Sequence, residues 1–225
     1  ALIIALGLIT FVVPVFAEMF SGFGKELPGP TQFLVNVGEW IKKYWYLLFA
    51  VVGGGVFAFK RWRGTTSGRY ASDAAFLKLP VFGELVLKVS IGRFCRLFAD
   101  MLSSGVPILN ALDIVARSIG NAALEKSFLD ARSGVEQGGT LSASLEGKPF
   151  LPILMVRMIA AGEKAGKVED MLDSVADAYD EDVEVMLGTL TALMEPFLMV
   201  FLGVVIGTIV LAMFLPIFNL GSLAH

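Results

Sequence analysis

The chain has 225 residues, 56% of them hydrophobic, and a formal net charge of −3. Soluble domains run nearer about 45–50% apolar, so a water-soluble globule does not describe the whole chain. A single cysteine (Cys95) excludes an internal disulfide, and a single histidine (His225) excludes a histidine-built metal site and any Ser-His-Asp or Cys-His pair.

The apolar excess sits in three blocks, residues 1–17, 44–59 and 197–215. Residues 1–17 carry no charge and would reach about 25 Å as a helix, close to a hydrocarbon core of about 30 Å. They read as a first transmembrane helix. A signal peptide is the rival reading, because Val15-Phe16-Ala17 before Glu18 resembles a cleavage site, but no basic residue opens the segment. The chain starts at Ala1 rather than Met, so an N-terminal part is expected upstream. Residues 18–43 read as an extracytoplasmic connector, with Gly22, Gly24, Pro28, Gly29 and Pro30 breaking regular structure. A short interfacial helix through Phe33, Val37 and Trp40 is one reading of it and a plain loop the preferred one. Residues 44–59 form a second transmembrane helix, where Gly53, Gly54 and Gly55 leave a bare backbone patch for another span to pack against.

Basic residues cluster just after this span (Lys60, Arg61, Arg63, Arg69), and basic loops mark the cytoplasmic side. Residues 60–194 are therefore expected in the cytoplasm, a third span over 195–216, and the 217–225 tail outside with the connector. The cytoplasmic part reads as helical throughout. Ile91, Phe94, Cys95, Phe98, Met101 and Leu102 form one apolar stripe, and Gly105-Val106-Pro107 turns the chain. Ile108, Leu109, Leu112, Val115 and Ala116 form the next stripe. Ala122–Val135 is a third helix, ended by Gly138-Gly139. Thr140 suits the N-cap of a short fourth, and Ile153–Ala161 is a further one. Gly162 to Lys167 reads as a small-residue turn into the last helix. No alternating strand pattern occurs. The fold class is all-α: a polytopic membrane protein with three transmembrane helices and an antiparallel cytoplasmic bundle of about six helices. Cys95 lies on a buried stripe, which makes it an inert core thiol.

From Val168 to Glu184 the acidic residues include Glu169, Asp173, Asp177 and Asp180, with no basic residue among them. They form either a solvated helix face or a docking surface for a basic partner. Lys78, Lys88, Arg93 and Arg96 read as an opposite, basic patch, facing either anionic lipid heads or a partner protein. Glu195, before Pro196, is expected to favour a helix N-terminus at the cytoplasmic end of the third span. The alternative is a polar contact with another membrane segment. Gly203 and Gly207 make a G-x-x-x-G packing face on that span. No G-x-x-x-x-G-K-[S/T] stretch is present, and no catalytic constellation can be assembled, so the reading is not an enzyme, with no cofactor, no metal and no nucleic acid.

Three stretches carry a family resemblance. Phe94-Cys95-Arg96-Leu97-Phe98-Ala99-Asp100-Met101-Leu102-Ser103-Ser104-Gly105-Val106-Pro107-Ile108 resembles the opening of the cytoplasmic repeat of the inner-membrane platform proteins of type IV pili and type II secretion. Gly162-Glu163-Lys164-Ala165-Gly166-Lys167-Val168 through Asp177-Ala178-Tyr179 is similar to that family's second signature. The ending Phe214-Leu215-Pro216-Ile217-Phe218-Asn219-Leu220-Gly221 looks more like the pilus branch. The resemblance implies a platform between a cytoplasmic hexameric ATPase and pilin or pseudopilin transmembrane segments, among other inner-membrane assembly subunits. It implies a bacterial inner-membrane location and a homo-oligomer. It also implies a first cytoplasmic repeat that this chain lacks, and structural importance for Gly105, Pro107, Glu163, Gly166 and Tyr179. The secretion platform is the near alternative. A small transporter, a different class, would show more spans and mid-membrane charges.

Overall fold

The computed structural model describes residues 29–221, together with Gly7 and Val15. The first expected span (1–17) and most of the connector's first half therefore lie outside the described residues. Within them the chain is helical: α1 (Gly29–Arg63), α2 (Thr66–Leu77), α3 (Phe82–Ser103), α4 (Ile108–Ser118), α5 (Ala122–Glu136), α6 (Leu141–Leu145), α7 (Ile153–Ala165) and α8 (Val168–Gly221). No strand occurs among the described residues. The chain divides into two compact units, one comprising Phe59–Leu190 and the other Ala1–Ala58 with Thr191–His225.

The Phe59–Leu190 unit is a helical bundle around one core. Helices α3 to α7 touch in chain order, and α2 packs on both α3 and α5. Phe94 and Phe98 of α3 pack with Phe128 of α5, the Phe94 and Phe128 rings stacking with centroids 3.7 Å apart. Leu112 of α4, Leu141 and Leu145 of α6, Met155 and Ile159 of α7 and Leu172 of α8 complete the core, all fully buried. Full burial of such a side chain stabilises by about 1.5–3 kcal/mol. An exposed ion pair contributes about 0–1 kcal/mol, so apolar packing holds this unit together.

The turns follow from local chemistry. Gly105, at φ +80, ends α3: its N–H donates to the Leu102 carbonyl and that of Val106 to Met101, a full Schellman closure followed at once by Pro107. Pro107 sits at the N-cap position of α4, outside its first turn. Thr140 caps α6 as expected, its hydroxyl accepting from the Ala143 N–H. The turn before α8 is shorter than the sequence suggests. Gly162 to Ala165 complete α7, and only Gly166 (φ +68) and Lys167 leave the helix. The Lys167 N–H returns to the Gly162 carbonyl at 2.9 Å, so the reversal needs one left-handed residue and no longer loop. Two non-glycine residues also stand at positive φ, Val81 (66°) and Phe150 (64°), a conformation that costs about 1–3 kcal/mol at each site.

In the other unit, two expectations are corrected. Residues 29–43 are not a loop: α1 runs unbroken for 35 residues from Gly29 through the 44–59 stretch. Pro30 falls in its first turn, where a missing N–H costs nothing, and no later proline interrupts it. Likewise no helix begins at Glu195, which lies inside the 54-residue α8. Pro196 removes one backbone hydrogen bond there without ending the helix. Among the described residues one helix is long and apolar enough to cross a membrane, and it is α8. Its later part exposes Phe197, Val200, Val204 and Leu211. The 44–59 run of α1 exposes Phe49, Val51, Val52 and Phe57, but is shorter and interrupted by Gly53–Gly55.

Candidate functional site

Helix α8 starts with four residues that face inward at helical spacing: Leu172, Val175, Ala176 and Tyr179, all buried. This fixes its acidic side against α3. Gly92 of α3 faces α8 at close range: a β-carbon there would stand 3.5 Å from Tyr179 Cβ, an ordinary van der Waals contact. Cys95 faces the core on α3, and burial pushes its thiol up to about 12. Arg96, the next residue, points the other way.

Arg96 is where the acidic face converges. Its guanidinium donates to Asp173 Oδ1 (3.2 Å), Asp177 Oδ1 (2.6 Å) and Asp180 Oδ2 (3.1 Å). Hydrogen bonding to Asp177 and then Asp180 strengthens its hold on its proton. Lys88, two turns earlier on α3, bridges Asp182 (2.8 Å) and Glu84 (3.0 Å), and these bonds raise its pKa. The sequence suggested an acidic face and an opposite basic patch. The fold instead lays Arg96 and Lys88 onto the acids. The physical reason is the shared core: once Phe94, Cys95, Leu172 and Ala176 are buried together, residues one position further round each helix must meet. Arg93 stays exposed, as do Glu181 and Glu184, and Glu169 is half-buried near the start of α8; among the described residues none of these four enters an ion pair.

Glu163 acts at a distance. From α7 it accepts the Leu141 N–H (2.6 Å) and the Ser142 N–H (3.2 Å), and the Ser142 hydroxyl donates to the same carboxylate. It satisfies the free amides that open α6, a five-residue helix too short to stand alone. The sequence reading placed Glu163 in a turn; it is a cap for another helix. Tyr179 is buried in the core, and burial raises its phenol pKa.

Asp73 was not anticipated. It is 3% exposed on α2, where one carboxylate oxygen accepts from Arg63 at the end of α1 (2.6 Å) and the other from the Ala122 N–H at the start of α5 (2.8 Å). Asn121 caps the same helix end, accepting from Ala123 and Leu124. Asn121 just before an apolar run was a readable cap. Nothing local marked Asp73, because its partner lies 49 residues on.

In the other unit, Gly53 and Gly54 on α1 and Gly203 and Gly207 on α8 have open space where a β-carbon would stand. Glu195 is exposed, as is Pro196. No group of three or more metal-ligating side chains occurs among the described residues.

Comparison with known proteins gives a consistent picture. The family described as type II secretion system (T2SS), protein F, matches residues 94–216, more than half of the chain. The type IV pilus assembly protein PilC of Myxococcus xanthus is 40% identical over 211 residues, which are 94% of this chain and 51% of that protein. PilC of Pseudomonas aeruginosa is 37% identical over 223 residues, 99% of this chain and 60% of its own length. The type II secretion system protein F of Pseudomonas aeruginosa is 34% identical over 216 residues, 96% of this chain and 53% of its own. The chain thus spans about half the length of the curated relatives it matches.

Proposed function

Because this chain belongs to the type II secretion system protein F family, we propose that it is part of an inner-membrane platform in a bacterial fibre-assembly machine, with the type IV pilus as its setting. The pilus preference rests on the relatives named for pilus assembly, at 40% and 37% identity against 34% for the secretion protein. The carrying observation is α8. Its first turns are built into the bundle core through Leu172, Val175, Ala176 and Tyr179, and its later turns expose apolar side chains such as Phe197 and Val204. A folded domain that owns the beginning of a membrane-compatible helix is suited to a scaffold. In this reading the 1–17, 44–59 and 195–216 segments cross the membrane, residues 60–194 face the cytoplasm and the C-terminus lies in the periplasm.

The partners follow from the same reading. The bundle meets a cytoplasmic hexameric ATPase, whose nucleotide chemistry this chain does not share, and the exposed apolar helices meet pilin transmembrane segments or further copies of the chain. The internal pairing of Asp173, Asp177 and Asp180 with Arg96 moves the docking hypothesis to exposed acids outside that cluster, Glu181 and Glu184. Photo-crosslinkers at Glu181, Glu184 and Val200 of the full-length protein test this in cells. Capture of the ATPase from the first two and of pilin from Val200 is expected. Glu181→Lys with Glu184→Lys should reduce ATPase capture and piliation while insertion is unchanged. Absence of both crosslinks, with solute flux in proteoliposomes, would turn the reading to a transporter.

A further inference from the structure

The turn from α2 to α3 carries an apolar surface that the function above does not use. Phe76 (50% exposed), Leu79 (45%), Val81 (48%) and Phe82 (59%) all face outward within one short stretch, flanked by Lys78. Scattered exposed hydrophobics need no explanation, but a contiguous group marks a contact surface.

The backbone of this turn is closed on itself. The Lys78 N–H donates to the Ala75 carbonyl (3.1 Å), Leu79 to Phe76 (3.2 Å), Phe82 to Pro80 (2.8 Å) and Gly83 to Leu79 (2.9 Å), and Pro80 has no N–H to satisfy. The Phe82–Pro80 bond closes a three-residue turn centred on Val81 at φ 66° and ψ −61°, a rare conformation for any β-branched residue. Gly83 seals the base: a β-carbon there would stand 2.7 Å from the Leu77 carbonyl carbon. A turn built this way satisfies four of its backbone N–H groups internally, which lowers the cost of a low-dielectric surrounding.

Its neighbours identify that surrounding. Phe76 lines one cavity of about 260 Å³ together with Arg63 and Asp73, so the turn adjoins the C-terminal end of α1. That end carries Lys60, Arg61 and Arg63 and the paired rings of Phe59 and Trp62, centroids 6.0 Å apart. Aromatic and basic residues at a helix end are the signature of the membrane–water boundary. The nearest acid on α3, Glu84, is engaged by Lys88.

We propose that the Phe76–Phe82 turn is an interfacial anchor, seating its apolar side chains at the headgroup–acyl boundary of the bilayer while Lys78 and the basic end of α1 meet anionic headgroups. The inference rests on the reading of the chain as membrane-spanning. Cys95 is the chain's single cysteine and is buried, so Leu79→Cys, Phe82→Cys, Glu146→Cys and Val204→Cys each carry one reactive thiol. Each variant of this chain is labelled with an environment-sensitive dye in nanodiscs containing anionic lipid, and quenching by lipids spin-labelled at shallow and deep positions is measured. Dyes at 79 and 82 are expected to be quenched several-fold more than the dye at 146, most strongly by the shallow label, as for groups ~5–10 Å into the boundary. The dye at 204 should respond most to the deep label. Quenching at 79 and 82 no greater than at 146, with 204 quenched, overturns the anchor and leaves the spanning reading intact. A blue-shifted dye at 79 that no lipid label quenches would mean protein contact and overturns it too. Failure at 204 overturns the spanning reading first and the anchor with it.

Discussion

Two acidic regions of the bundle invite comparison. Along α8, Asp173, Asp177 and Asp180 gather round Arg96 with 48%, 73% and 64% of their side-chain surfaces in water. On α2 and α7, Asp73 takes the Ala122 N–H at the start of α5 and Glu163 the two amides that open α6. The first group is conspicuous in the sequence and energetically modest, because exposed ion pairs are screened and ordering them costs side-chain entropy. The second pair is inconspicuous, yet its loss leaves part-buried backbone donors unsatisfied, which is the costlier failure. Charge density along a chain is thus a poor guide to which charge holds the fold.

The largest effect is expected at Glu163. Glu163→Ala should destabilise the bundle by about 2–4 kcal/mol, since three hydrogen bonds go and α6 cannot hold itself. Glu163→Gln should recover part of this, and thermal unfolding in detergent reads both; equal loss in the two variants would mean that packing, not capping, matters there. Asp73→Ala comes next at about 1–2 kcal/mol, leaving the part-buried Ala122 N–H without its acceptor while the half-exposed Arg63 guanidinium turns to water. Asp73→Asn should cost less. Arg96→Ala should cost only about 1 kcal/mol, and its distinguishing mark is salt. Leaving three carboxylates to repel one another, the variant should gain stability from added sodium chloride more than the parent chain does. A larger loss that salt does not change would erase the contrast between the two regions.

Cys95 supplies the smallest change and the sharpest boundary, being the residue beside Arg96 that faces the other way. In the folded protein it should react almost undetectably with maleimide at pH 8, and readily after unfolding. Its folded pKa of about 12 exceeds the ordinary value of 9.0. The neutral thiol therefore adds stability that is fully present below pH 9.0 and is lost as pH climbs toward 12. The fall in stability across that window should be shallower in Cys95→Ala. Unchanged slopes would show that the thiol is not sequestered.

Much of the fold was legible. Periodicity marked the inward faces of α3 and α4, glycine chemistry marked the Gly105 turn, and Thr140 announced α6, because each signal is local. Reading 29–43 as a loop failed because its glycines and prolines crowd the start of a helix that then runs on unbroken. Gly162 resembles a turn residue in sequence because its small-residue neighbours look alike, while only Gly166 needs a left-handed backbone.

By itself the sequence determined the all-helical class, the buried position of Cys95, the family likeness and the apolar character of α8, since each depends on residue type and spacing over a few turns. Only the tertiary structure decided that Arg96 belongs to the acids of α8, that Glu163 caps α6, that Asp73 joins the end of α1 to the start of α5, and that Phe76, Leu79, Val81 and Phe82 face outward. Those pairings span tens of residues, and it is the shared burial of Phe94, Phe128, Leu172 and their neighbours, not any local preference, that brings them within reach.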